Sequence, residues 1–195
     1  NYGSVSDRSC VLINGDMFYR APDGIRSYIS SRREWQEYGQ IPVSREVSPI
    51  LNNEKQAGIA ETTSSVLFDN RMLTTVTPQA SDRGQYFRGL TALDFDLVGG
   101  TGAKSPAAWE GLWTGLNFLQ IMTADVGSES RCFAFHLDPS CPIQLWEIHK
   151  EDHAPDTPSN VACYLESPSY SFENPFEMKK LEYGEMWVDQ IVGDV

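Results

Sequence analysis

The chain has 195 residues, room for one domain or at most two small ones, and 41% of them are hydrophobic against 22% charged. That balance is too apolar for wholesale disorder and too interrupted by charge to span a membrane. Fifteen Lys and Arg against 27 Asp and Glu leave a net charge of −12, which repels phosphate backbones and anionic lipid surfaces, so neither nucleic acid nor membrane insertion is expected.

The chain opens on Asn1-Tyr2-Gly3-Ser4, with neither an initiator Met nor a basic stretch followed by an apolar run, which reads as a mature product or an excised segment. Its apolar stretches are short and alternate, a pattern that predicts half-buried strands rather than amphipathic helices. Residues 17–20 and 25–29 flank Ala21-Pro22-Asp23-Gly24; proline fixes one φ and glycine permits a positive one, so a hairpin is predicted. The helical candidate is 30–38, one or two turns bounded by Gly39 and Pro42, because no sustained apolar stripe runs through it. Residues 66–68 and 71–76 form a second predicted hairpin around Asp69-Asn70, residue types that occupy left-handed turn positions without glycine. Residues 86–96 read as a strand with Leu93 and Phe95 on its dry face and Asp94 and Asp96 on its wet one. Gly99-Gly100-Thr101-Gly102 and Ser105-Pro106 mark a long loop, and 117–126, 130–137 and 142–149 predict a meander turning at Gly127-Ser128 and Asp138-Pro139-Ser140. The polar segment 151–159, with two prolines, predicts a linker or exposed crossing and a boundary near Asp156. Residues 1–155 then make one β domain, and 156–195 carry further strands of that domain or begin a following one.

The expected class is all-β. Hairpins recurring every several tens of residues suit β-propeller-like blades of antiparallel strands, and at roughly 40–45 residues per blade the chain holds about four. What recurs is hairpin geometry rather than identical residues, and a β-sandwich accommodates the same strands. A partial ring completed by residues outside the chain is a further alternative.

Few residues invite chemistry. Segment 97–105, LVGGTGAKS, fails as a phosphate-binding loop because Ala103 stands where glycine must precede Lys-Ser and Pro106 stops any following helix. Asp94-Phe95-Asp96 has a spacing used for hard cations such as Ca²⁺, but strand alternation explains it more simply. His149 and His153 flank Lys-Glu-Asp outside any predicted helix, and with His136 they are the only histidines, none beside a recognisable nucleophile. Among the four cysteines, Cys132 and Cys141 flank a predicted turn and are the candidates for a cross-strand disulfide; free buried thiols are the alternative. Trp109 and Trp113 lie in the glycine-punctuated stretch Trp109-Glu110-Gly111-Leu112-Trp113-Thr114-Gly115-Leu116, read as a loop that is either a packed turn or a binding lip.

The run Asn70-Arg71-Met72-Leu73-Thr74-Thr75-Val76-Thr77-Pro78, the strand 86–96, the Trp109–Leu116 stretch, Phe133-Ala134-Phe135, Gln144-Leu145-Trp146-Glu147-Ile148, and residues 174–181 through Trp187-Val188-Asp189 are turn and packing patterns covering most of the chain. Together they resemble the β-propeller-like virion and tail-associated structural proteins of tailed bacteriophages and their prophage and metagenomic relatives. The resemblance implies a non-enzymatic particle component, tail or neck associated, whose partners are other virion proteins or a host surface. It carries no active residues across. Residues 186–195 read as a strand, a turn and the start of another strand, which predicts that the chain is part of a longer polypeptide or pairs with a neighbouring subunit in a homo-oligomer.

Three functional classes follow. In a structural module, Trp109 and Trp113 would anchor an interface. In a carbohydrate-binding or glycan-cleaving propeller, exposed aromatics would work with Asp94, Asp96 and Glu110. A Ca²⁺-stabilised module is the third, with no other cofactor expected.

Overall fold

A computed structural model of the chain describes residues 3–29, 42–57, 62–80, 86–95, 108–113, 117–137 and 143–148. The chain divides into two compact units, Asn1–Lys150 and Glu151–Val195, and every described residue belongs to the first. The helical candidate at 30–38, the glycine-rich loop at 99–106, the boundary near Asp156 and the strands expected in 156–195 lie outside the described residues.

The described residues are mainly β-strand, with a helix at Ser48–Ala57, a 3-10 turn at Asp7–Ser9 and a helical stretch entered at Tyr28-Ile29. A first antiparallel sheet has the order β1 (Val11–Ile13), β2 (Asp16–Ala21), β3 (Gly24–Ser27). The predicted reversal at Pro22-Asp23 is formed, with Ala21 paired to Gly24. Gly24 has φ +148, and a Cβ there would lie 2.5 Å from Ser44 Oγ and 2.8 Å from Pro42 Cβ, so the close approach of 42–44 requires glycine. That approach is held by hydrogen bonds from Ile25 N to Ser44 Oγ (2.8 Å) and from Val43 N to Ile25 O (2.9 Å). Strand β1 and the helix α1 (Ser48–Ala57) were not expected. A three-residue strand is too short to show alternation, and α1 has Pro49 in its first turn, where a missing N–H costs nothing. The fully buried Arg20 ties β2 to α1 by donating to Ala21 O (2.8 Å) and Leu51 O (2.7 Å).

The second sheet has the order β4 (Ser65–Phe68), β5 (Arg71–Ala80), β6 (Tyr86–Asp94), β7 (Ala108–Trp113), all antiparallel. Its first turn is the predicted one, with Asp69 at φ +48 and Asn70 at φ +53, the two positive angles of a tight hairpin whose twist matches the strands. The third sheet is the predicted meander, β8 (Phe118–Val126), β9 (Glu129–His136), β10 (Gln144–Ile148), turning first at Gly127-Ser128 and ordered β10-β9-β8.

The three sheets stack in chain order. Met72 and Leu93 of the second sheet enter one core with Val11, Ile13, Phe18 and Ile25 of the first sheet and Val47 and Leu51 of the α1 region. Leu73, Leu90 and Ala92, on the opposite face, enter another core with Phe118, Ile121, Cys132 and Ala134 of the third. Strands β5 and β6 are therefore covered on both sides, and their buried hydroxyls need partners. Thr74 Oγ1 meets Ser65 Oγ at 3.0 Å, Thr75 Oγ1 accepts from Ser64 N at 2.9 Å, and Thr91 Oγ1 donates to Gly111 O at 2.9 Å.

This stacking corrects two expectations. Asp94 is not on a wet face: it is only 5% exposed, because the face opposite Leu93 is covered by the third sheet. Residues 108–113 are not a loop but β7, paired with β6.

Candidate functional site

The polar groups of the second sheet converge at one end. Arg71 opens β5 directly after the Asp69-Asn70 turn, and antiparallel register places it opposite Asp94, the last residue of β6. On β7, Ala108 pairs with Asp94, Trp109 with Leu93 and Gly111 with Ala92, so Glu110 is an extra residue in a β-bulge. Gly111 adopts φ +103, an angle that residues with a Cβ rarely take. The bulge delivers the Glu110 carboxylate to Arg71, whose Nε donates to Oε1 at 2.7 Å. Arg71 Nη1 donates to the Asp69 carboxylate, and Arg71 Nε stands 3.7 Å from Asp94 Oδ2. The hydrogen bond to Glu110 chiefly raises the Arg71 guanidinium above its ordinary pKa; burial opposes this, and the charges of Glu110, Asp69 and Asp94 add to it.

One guanidinium thus lies within ion-pair distance of three carboxylates. Beside it lies a small open cleft of about 80 Å³ lined by Phe68, Asp69, Arg71, Leu73, Glu110 and Trp113. Leu73 is buried, and Phe68 and Trp113 form partly exposed aromatic walls packed against the second core.

Of the residues singled out from sequence, Asp94, Glu110 and Trp113 are brought together here. Trp109 is not: it pairs with Leu93, packs against the first core and donates its indole N–H to Val43 O at 3.2 Å. Asp96 lies outside the described residues. The two tryptophans therefore do not form a common lip, which corrects the reading of 109–116 as a loop presenting both. Arg71 was not singled out; its signal is a lone cation directly after a tight turn, which register alone brings opposite Asp94.

Cys132 is a free, fully buried thiol. In the register of β9 and β10 Cys132 pairs with Ile148. Cys141 itself lies outside the described residues. Burial pushes the Cys132 pKa up to about 11. Among the described residues no group of three or more His, Cys, Asp or Glu could hold a metal ion. His136 is buried between the rings of Phe118 and Trp146, edge-on at 6.0 and 5.6 Å. His149, His153 and the glycine-rich 97–105 segment fall outside the described residues.

No protein-family model, curated protein or solved structure matches the chain.

Proposed function

We propose that the chain is a non-enzymatic structural and interaction module of a phage particle, built of propeller-like blades and binding other virion proteins or a host surface. The observation that carries this reading is the stacking of three short antiparallel sheets in chain order, the middle one buried on both faces. Successive propeller blades pack in this way, since a small sheet cannot bury both faces alone. The sequence resemblance supports the particle assignment. The ion-paired state of Arg71, Asp94 and Glu110 supports a binding role, because these groups hold one another in place. Mass spectrometry and immunogold labelling of purified particles from the source test the reading. A stoichiometric component at the tail or neck is expected; a protein absent from particles and soluble in the lysate would overturn it.

The aromatic walls of the Arg71 cleft favour a second reading, a carbohydrate-binding propeller in which Trp113 or Phe68 stacks on a sugar ring. Glycan cleavage is less well supported: it needs a carboxyl that gives up a proton, and both Asp94 and Glu110 are paired with a guanidinium. A glycan array without binding and an assay without reducing-sugar release would remove this reading.

A further inference from the structure

We propose that the Asn14-Gly15 turn is a site of spontaneous covalent modification, in which Asn14 loses its side-chain nitrogen as ammonia and becomes isoaspartate, releasing β1 from the first sheet.

Sequence supplies the pair and the fold supplies its exposure. Asn14-Gly15 is the one Asn-Gly step in the chain. It forms the tip of the hairpin between β1 and β2, with Ile13 paired to Asp16. Asn14 has φ +51 and Gly15 φ +80, the two positive angles of the tight turn that Asn-Gly favours. Both residues are exposed, and a Cβ built on Gly15 would meet nothing within 4 Å. Open space therefore surrounds the atoms that react, and water reaches them.

The chemistry needs no other reagent. The Gly15 backbone nitrogen attacks Asn14 Cγ; the new N–Cγ bond closes a succinimide ring, the Cγ–Nδ2 bond breaks, and Nδ2 leaves as ammonia with the proton given up by the Gly15 amide. Glycine permits this approach because it has no Cβ beside the attacking nitrogen. Water then opens the ring. Addition at Cγ gives aspartate, and addition at the Asn14 main-chain carbonyl carbon gives isoaspartate, whose backbone runs through the former side chain. Either product places a new negative charge two residues from Asp16.

Two other turns show why this one is selected. Asn70 shares the exposure and the left-handed angle, at φ +53, but Arg71 follows it and puts a Cβ beside the nitrogen. Asp23-Gly24 has the glycine, but Asp23 Oδ1 accepts from Arg26 Nε at 3.0 Å and Gly24 packs against Ser44 and Pro42.

The two products differ in consequence. Aspartate keeps the turn, because Asp-Gly fits the same pair of angles. Isoaspartate adds a methylene to the main chain of a two-residue loop, so the Ile13 and Asp16 pair no longer closes as before. Strand β1 is three residues long, and its Val11 and Ile13 sit in the first core. A displaced turn withdraws both.

The test ages the full chain in mildly alkaline buffer, folded and in parallel unfolded in urea, with peptide mapping and electron-transfer fragmentation to separate isoaspartate from aspartate. An exposed turn reacts without global opening, so the folded chain should convert Asn14 within about tenfold of the unfolded rate, with Asn70 unchanged. The mass gain at this site should vanish in Asn14→Asp and slow several-fold in Gly15→Ala; the first variant stays informative should the second fail to fold. The isolated isoaspartate form should melt several degrees below the native chain and lose hydrogen-exchange protection in β1, while Asn14→Asp melts close to the native chain. Conversion confined to the unfolded chain, or equal conversion at Asn70, would overturn the site. An isoaspartate form that melts like the native chain with β1 still protected would overturn the release of β1.

Discussion

Trp109 and Trp113, four positions apart on one strand, pack on opposite faces of the sheet that carries them. Regular alternation places residues four apart on the same face. The extra residue Glu110 shifts the phase by one, so Trp109 pairs with Leu93 and Trp113 with Leu90, only three residues apart on β6.

Separate faces imply separate energetics. Trp109→Ala and Trp113→Ala should each destabilise by about 2–3 kcal/mol, less than a fully buried tryptophan because both are half-buried. In urea unfolding the double variant should equal the sum of the two within about 0.5 kcal/mol. A larger coupling would mean that the rings share one surface.

The bulge depends on a backbone angle. Gly111→Ala meets no atom within 4 Å, so its cost is the φ of +103 alone, about 1–2 kcal/mol. Gly24→Ala adds a collision with Ser44 and Pro42 to its own positive φ and should cost more, above about 2 kcal/mol. Thermal melts of the two variants give the order directly.

Arg71 neutralises a carboxylate that is nearly out of solvent. Arg71→Met should destabilise by about 2 kcal/mol, since it removes a cation ion-paired with the buried Asp94. Glu110→Gln removes a partly exposed pair and should cost under about 1 kcal/mol. Equal losses in denaturant titrations would show that the buried Asp94 is not what makes Arg71 necessary.

Cys132 supplies an alkaline signature. Its thiol is neutral in both states below pH 9; between its ordinary 9.0 and about 11 only the unfolded chain releases the proton, so stability falls as pH rises. The full loss is roughly 3 kcal/mol, and Cys132→Ala should flatten the decline across that window in pH-dependent unfolding. The exposed Cys10 should react with iodoacetamide in the native protein at pH 8 while Cys132 stays unlabelled, as peptide mapping would show.

Much of the local structure is legible in the chain. Pro22-Asp23-Gly24, Asp69-Asn70 and Gly127-Ser128 each announce a reversal through the angles those residues tolerate, and the strands on either side follow. The site is legible only in part. Asp94, Glu110 and Trp113 stand out as residue types, but Arg71 acquires its role through register and Glu110 its position through a bulge, and neither shows in spacing along one strand.

The chain by itself determined where it reverses and which residues alternate, because turn angles and strand pleating depend on near neighbours in sequence. Only the tertiary structure decided which faces are dry. Alternation sets Asp94 opposite Leu93 but cannot say that the first sheet covers one side and the third the other. Burial belongs to the stack of sheets, and the segments that meet there are dozens of residues apart.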